Sequence, residues 1–130
     1  MRKAALFALL IASGCLSNSI QELKDRPGAK YYMKSDVPFN IAVDRISKSM
    51  MVCLDEPSIT PFKVDRNVDE KMELATLSVR ESGSFKYYTH VEIKRADSGI
   101  ELTVYDFVKP LFGNRFSPYQ RWLSGDPACP

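Results

Sequence analysis

Histidine and cysteine are scarce in this sequence: His90 is the only histidine, and the three cysteines are Cys15, Cys53 and Cys129. A zinc or iron site needs several such ligands that converge at a suitable spacing, so we expect neither a metal site nor a cofactor. The six glycines stand singly at turn positions, which argues against a glycine-rich phosphate-binding loop.

The charged residues form no run of one sign. The chain has 18 basic and 16 acidic residues, and removal of Arg2 and Lys3 with a leader segment would leave 16 of each. Proteins that bind nucleic acids ordinarily present a basic face, so we expect no nucleic-acid partner.

A long hydrophobic run is also missing. The longest apolar stretch, Ala4 to Ala12, has nine residues, whereas a helix that crosses a bilayer core needs about 20. The stretch follows Arg2 and Lys3, has no polar face, and leads into small residues and a cysteine. That order is typical of a bacterial secretory signal.

The end of this segment, Ala12-Ser13-Gly14-Cys15, resembles the lipobox of bacterial lipoproteins. The resemblance implies a signal peptide over 1–14 and a new N-terminal Cys15 that carries a diacylglycerol thioether and an amide-linked fatty acid such as palmitate. Leu16 stands where aspartate marks retention in the inner membrane, which implies the periplasmic face of the outer membrane. Two alternatives stay open: the buried first helix of a cytosolic domain, and an ordinary cleavable signal that leaves a soluble secreted protein.

Lipidation of Cys15 would leave Cys53 and Cys129 as a pair in an oxidising compartment, where disulfides persist. We therefore predict a disulfide between them, which would tie the C-terminal tail 125–130 to the domain. The alternative is two unrelated thiols, one on a helix and one in a frayed tail.

The mature chain is long enough for one domain with one core. Residues 15–30 are interpreted as the lipidated N-terminus and a polar tether, in which Ser19 and Glu22 form a capping box over one helical turn. Residues 31–130 are interpreted as a single α+β periplasmic domain. A short strand leads to an amphipathic helix that begins after Asn40 as its N-cap and ends at Leu54. Its apolar residues Val43, Ile46, Met50, Cys53 and Leu54 recur at steps of three and four, and Ala42 and Met51 widen this apolar stripe.

After Ile59 the hydrophobic period changes to two, which predicts strands. Four alternating runs are separated by predicted turns at 66–69, 81–84 and 97–99. They form an antiparallel meander with one wet face, and the long helix covers the dry face. The segment Ser117-Pro118-Tyr119-Gln120 predicts the start of a short C-terminal helix that ends at Gly125 and returns Cys129 to the domain.

Tyr88, His90 and Glu92 alternate along one predicted strand and share its polar face. A histidine oriented by a carboxylate has the content of a general base. A single row of side chains makes no pocket, however, and a solvated sheet face explains the row equally well. Asp106 lies among apolar residues of its strand, and we expect it to reach the rim of the sheet.

The loop over 110–116 contains Phe112, Arg115 and Phe116 beside a glycine. Arginine and aromatic residues are enriched at binding hot spots, so this loop is a candidate recognition site. The alternative is that Phe112 or Phe116 covers the core beneath it.

The order of these elements, from the lipobox to Trp122-Leu123-Ser124-Gly125 and Cys129, resembles small lipoproteins of Gram-negative bacteria that have no established activity. The resemblance implies an envelope location, attachment to the membrane through the lipid anchor, and a helix-on-sheet domain. We expect a non-catalytic domain with a binding or envelope-assembly role and an envelope protein as its partner. The alternatives are a carrier of a lipid or sugar between helix and sheet, and an enzyme that uses His90 with Glu92.

Overall fold

The fold consists of three helices and five strands within the residues that the computed structural model describes, 19–54, 62–83, 86–107 and 117–130. In chain order these elements are α1 (Ile20–Asp25), β1 (Ala29–Ser35), α2 (Phe39–Leu54), β2 (Phe62–Asp69), β3 (Leu74–Glu81), β4 (Tyr87–Ala96), β5 (Gly99–Asp106) and α3 (Ser117–Ser124).

The strands form one antiparallel sheet in the order β1-β5-β4-β3-β2. Strands β2 to β5 follow one another as a meander, and β1 joins the sheet beside β5. The predicted α+β class, with a meander sheet, one long helix and a short C-terminal helix, is confirmed.

Helix α2 covers one face of the sheet. Its inward residues Val43, Ile46 and Met50 are at most 2% exposed, and burial of each such side chain contributes roughly 1.5–3 kcal/mol. They pack on an apolar sheet face made by Ala75, Leu77, Val79, Val91, Ile93, Ile100, Leu102 and Val104. Met51 departs from the prediction because it is 44% exposed: one step along a helix turns the side chain by about 100° away from the contact.

The start of α2 also differs slightly from the prediction. The helix begins at Phe39, and Asn40 lies inside its first turn instead of capping it. The first intrahelical bond is donated by the N–H of Ala42 to the carbonyl of Pro38 at 2.9 Å. Proline suits this position because it has no N–H that would need a partner.

Strand β2 is longer than predicted, and the turn at 66–69 is wrong. The chain turns at 70–73 instead. Arg66 fits within the strand because its Nη1 donates to Ser47 Oγ of α2 at 3.1 Å. Asp69 then closes the turn, since its Oδ1 accepts from the N–H groups of Lys71 and Met72 at 3.0 Å each.

Helix α1 packs on the sheet face opposite α2, against β4 and β5. Ser19 is its N-cap, as predicted, and its Oγ accepts from the N–H of Glu22 at 3.1 Å. Leu23 is 0% exposed. Because a six-residue helix is marginal in isolation, docking on the sheet stabilises it. Residues 20–25, which the sequence assigned to a polar tether over 15–30, therefore form a packed helix.

The predicted disulfide is confirmed: Cys53, near the end of α2, is bonded to Cys129, with 5.4 Å between their Cα atoms. The tail is also held by α3, whose Trp122 and Leu123 are buried. Trp122 Nε1 donates to the carbonyl of Ala128 at 3.0 Å. Gly125 ends the helix with a φ of 96°, a conformation that favours glycine.

Candidate functional site

A β-bulge removes Tyr88 from the predicted row of polar residues. The pairing of β3 with β4 shifts by one residue near the start of β4, which leaves Tyr88 as the extra residue. Its ring meets Phe62 edge-on at 5.3 Å, and its hydroxyl donates to Glu81 Oε1 at 2.7 Å. Phe62 packs against the core beneath α2, so Tyr88 lies away from His90 and Glu92. The predicted row is therefore wrong in its first member.

His90 lies in a dry part of the face that was predicted to be wet. It is 3% exposed, and its Nδ1 is joined by a 2.7 Å hydrogen bond to Ser78 Oγ on the neighbouring strand. The two residues are direct cross-strand partners. Burial lowers the pKa of His90, the nearby Lys24 ammonium lowers it further, and the Glu92 carboxylate opposes both effects.

Glu92 joins His90 to α1. Its Oε1 lies 2.5 Å from Lys24 Nζ on α1 and 3.4 Å from His90 Nε2. The hydrogen bond to Glu92 raises the pKa of Lys24 against the lowering effect of its partial burial. Both Lys24 and Glu92 keep some contact with solvent, so the ion pair is worth on the order of 1 kcal/mol.

The aromatic ring of Tyr105 on β5 lies next to these side chains. Lys24 Nζ and Lys30 Nζ lie 5.7 Å and 5.2 Å from the centre of its ring, within cation–π distance. The His90 ring lies beside it, with centroids 6.2 Å apart. We call the set Lys24, Ser78, His90, Glu92 and Tyr105 the α1 clasp, because it joins α1 to three strands of the sheet.

The chemistry of the α1 clasp resembles a catalytic triad only in its order of groups. A hydroxyl, an imidazole and a carboxylate follow one another from Ser78 through His90 to Glu92. A nucleophile must reach its substrate, however, and both Ser78 and His90 are buried. Two clefts elsewhere in the described structure are lined by other residues: one lies beside Lys34 and Arg95, and the other lies between α2 and β2. In this conformation the cluster holds α1 in place.

Asp106 is buried, and the expectation that it reaches the rim is wrong. Its Oδ1 accepts from the Thr89 hydroxyl at 2.6 Å, and its carbonyl accepts from the N–H of Gly28 at 2.8 Å. The reason is that β1 pairs with β5 up to this position and covers the end of the strand. Burial raises the pKa of the nearby Tyr119 well above its ordinary value, and the Asp106 carboxylate adds to the shift.

Several predicted residues lie outside the part of the chain that the structure describes. These are Cys15 and the loop residues Phe112, Arg115 and Phe116. Within the described ranges, no group of three or more His, Cys, Asp or Glu side chains is placed to hold a metal ion. In the same ranges, no helix combines the length and apolar character that a membrane crossing requires.

Sequence reasoning missed Ser78, Lys24 and Tyr105. Alternation along the strands places Ser78, His90 and Tyr105 on one face, but only the register makes them neighbours. Lys24 was assigned to the tether. The one signal in the sequence was Leu23, because an apolar residue in a polar segment indicates packing on the domain.

No protein-family model matches this chain, and searches of curated proteins and of solved structures found no match.

Proposed function

We propose that this protein is a lipid-anchored lipoprotein of the bacterial envelope whose domain binds another envelope component without catalysing a reaction. The observation that carries the proposal is the Cys53–Cys129 disulfide. Disulfides persist in the periplasm and other oxidising compartments and are rare in the cytosol. The segment Ala12-Ser13-Gly14-Cys15 supports the same location, since the cysteine that it would lipidate is the one that the disulfide leaves over.

The position of α1 supports a short connection to the membrane. Ser19, where the packed domain has already begun, follows Cys15 by four positions, and four residue-to-residue steps span at most about 14 Å. A lipid anchor with three acyl chains binds a bilayer far more firmly than one chain. The domain would therefore stand close to the periplasmic face of the outer membrane.

Binding is favoured over catalysis because the residues that could carry out a reaction are buried. His90 and Ser78 are only 3% and 4% exposed to solvent. Binding between helix and sheet is also disfavoured, since the inward side chains of α2 fill that interface in the described part of the domain. The proposed recognition loop with Phe112, Arg115 and Phe116 follows β5 and precedes α3, two elements that are packed on the core.

The anchor is tested by mass analysis of the membrane-extracted protein without reducing agent. We expect loss of residues 1–14, added mass of a diacylglycerol and a fatty acid on Cys15, and a mass two hydrogens below that of the reduced chain. Cys15→Ser is the matched control and should remain unlipidated with the same disulfide. An intact N-terminal Met1, with all three thiols open to alkylation, contradicts the proposal.

The binding role is tested by photo-crosslinking in cells from positions 112 and 115. We expect discrete protein adducts from these two positions. A crosslinker at Asn67, which is exposed on β2, is the control for non-specific capture. Labelling of lipid or solvent alone at positions 112 and 115 would remove the case for a protein partner.

A further inference from the structure

We propose that α1 is an acid-releasable element: protonation of His90 detaches α1 from the sheet and frees residues 19–27. The α1 clasp carries this response, because Glu92 Oε1 contacts both Lys24 Nζ of α1 and His90 Nε2 of β4. It is a conformational role that the proposed binding function does not require.

The charges around His90 explain why its protonation acts on α1. Glu92 Oε1 is the only carboxylate atom paired with both Lys24 and His90 in the α1 clasp. Lys30 of β1 adds a third cationic group above the Tyr105 ring. On the β3 side the partner is the uncharged Ser78. Beyond Ser78, the Asp65 carboxylate of β2 accepts from Arg80 at 2.7 Å and is already neutralised. A protonated His90 therefore places a buried cation beside Lys24 and competes with it for Glu92.

Helix α1 detaches more easily than the strands separate. Each strand is held along its length by a ladder of main-chain hydrogen bonds, whereas α1 has six residues and one fully buried side chain, Leu23. The release stops at a defined point, because the N–H of Gly28 donates to the Asp106 carbonyl at 2.8 Å and β1 begins at Ala29.

The direction of the pH dependence follows from the lowered pKa of His90 in the docked state. With α1 released, the burial and the Lys24 charge that lower this pKa are reduced, so the pKa of His90 rises toward the ordinary value for histidine and His90 binds a proton more readily. Docking is therefore at full strength above that value. It weakens as the pH falls toward the lower pKa of the docked state, and it is constant below that.

One consequence rests on the proposed function. With α1 docked, an anchored Cys15 is four residue-to-residue steps from the domain at Ser19; with α1 released, it is 13 steps from Gly28. The maximum reach then rises from about 14 Å to about 45 Å. Acid would let the domain move away from the membrane surface.

The test is hydrogen–deuterium exchange of the full membrane-extracted protein in detergent, from about pH 7.5 to about pH 5.5, across the range in which histidine titrates. Labelling times are scaled to the intrinsic exchange rate. We expect a several-fold loss of protection over Ile20–Asp25 at the acid end and none over Leu74–Glu81 of β3. The intact mass of the same sample reports lipidation independently, so failure of the anchor and failure of acid release are distinguished.

Two variants and one control separate His90 from other acid effects. His90→Gln keeps a neutral polar side chain, and we expect α1 to stay protected at both pH values. Lys24→Met keeps the apolar stem without the opposing charge, and the pH dependence should shrink. Lys34→Met is the matched control, since Lys34 pairs with Glu101 on the same sheet face, outside the α1 clasp, and should behave as wild type. Equal loss of α1 protection in His90→Gln overturns the proposal, as does loss in α1 and β3 together or no loss at all.

Discussion

Removal of the Cys53–Cys129 disulfide by a double substitution to serine should destabilise the domain more than any other change outside the core. The bond closes a loop with a sequence separation of 76 residues. In the chain-entropy description, a crosslink over such a loop lowers the free energy of the folded state relative to the unfolded chain by about 4.5 kcal/mol. A domain of this size has a total stability of about 5–15 kcal/mol, so the variant should be only marginally folded.

The measurement is urea unfolding followed by the fluorescence of Trp122, the only tryptophan. Its indole bonds to Ala128, one residue before Cys129, so the signal comes from the segment that the disulfide tethers. With a urea dependence of about 1–3 kcal/mol per molar, the midpoint should fall by about 1.5–4.5 M. Wild-type protein with its disulfide reduced should unfold at the same midpoint as the variant. A loss below about 1 kcal/mol would refute the reasoning, because packing of α3 would then fix the tail without the bond.

Two further substitutions have defined outcomes. Gly99→Ala should lower the free energy of unfolding in urea by about 2–4 kcal/mol, because φ is 135° and the new Cβ would lie 2.0 Å from the Ser35 carbonyl oxygen. Gly83→Ala is the control: φ is 78° but no atom lies within 4 Å of the new Cβ, so the loss should be only about 1 kcal/mol. Equal losses in the two variants would contradict the steric argument. Leu23→Ala should increase hydrogen exchange in α1 at neutral pH and lower stability by about 2–3 kcal/mol. Val52→Ala, at an exposed position of α2, is the control and should change stability by less than about 0.5 kcal/mol. Unchanged exchange of α1 in Leu23→Ala would show that Leu23 does not hold α1 on the sheet.

The parts of the fold that follow from periodicity could be predicted. Strand β3 alternates apolar and polar residues from Ala75 to Arg80, so its inward residues Ala75, Leu77 and Val79 were identified correctly. Helix α2 was found because its apolar residues recur at helical spacing over four turns. Burial of one face leaves a pattern in the sequence wherever that face is continuous.

The errors have local physical causes. Arg66 was assigned to a turn because a charged residue interrupts the alternation, whereas the strand accommodates it through a bond to Ser47 of another element. The bulge at Tyr88 depends on how β3 and β4 pair, and a single strand contains no record of that register.

The candidate site was predicted least well, since it exists only through tertiary contact. His90 and Glu92 were recognised as neighbours on one strand, but the contact that covers them comes from α1, a helix too short to be stable by itself. Ser78 and Tyr105 join them through strand pairing, and Lys24 arrives from a segment with no strong periodicity.

Arg66 also affects whether two copies of this protein can associate through their sheet edges. It lies on β2, an outermost strand of the described sheet, and its guanidinium is turned toward α2. A second chain that extended the sheet along β2 would have to place its own side chains beside this exposed cation. Charge of this kind on an edge strand discourages fibril growth and strand-to-strand association.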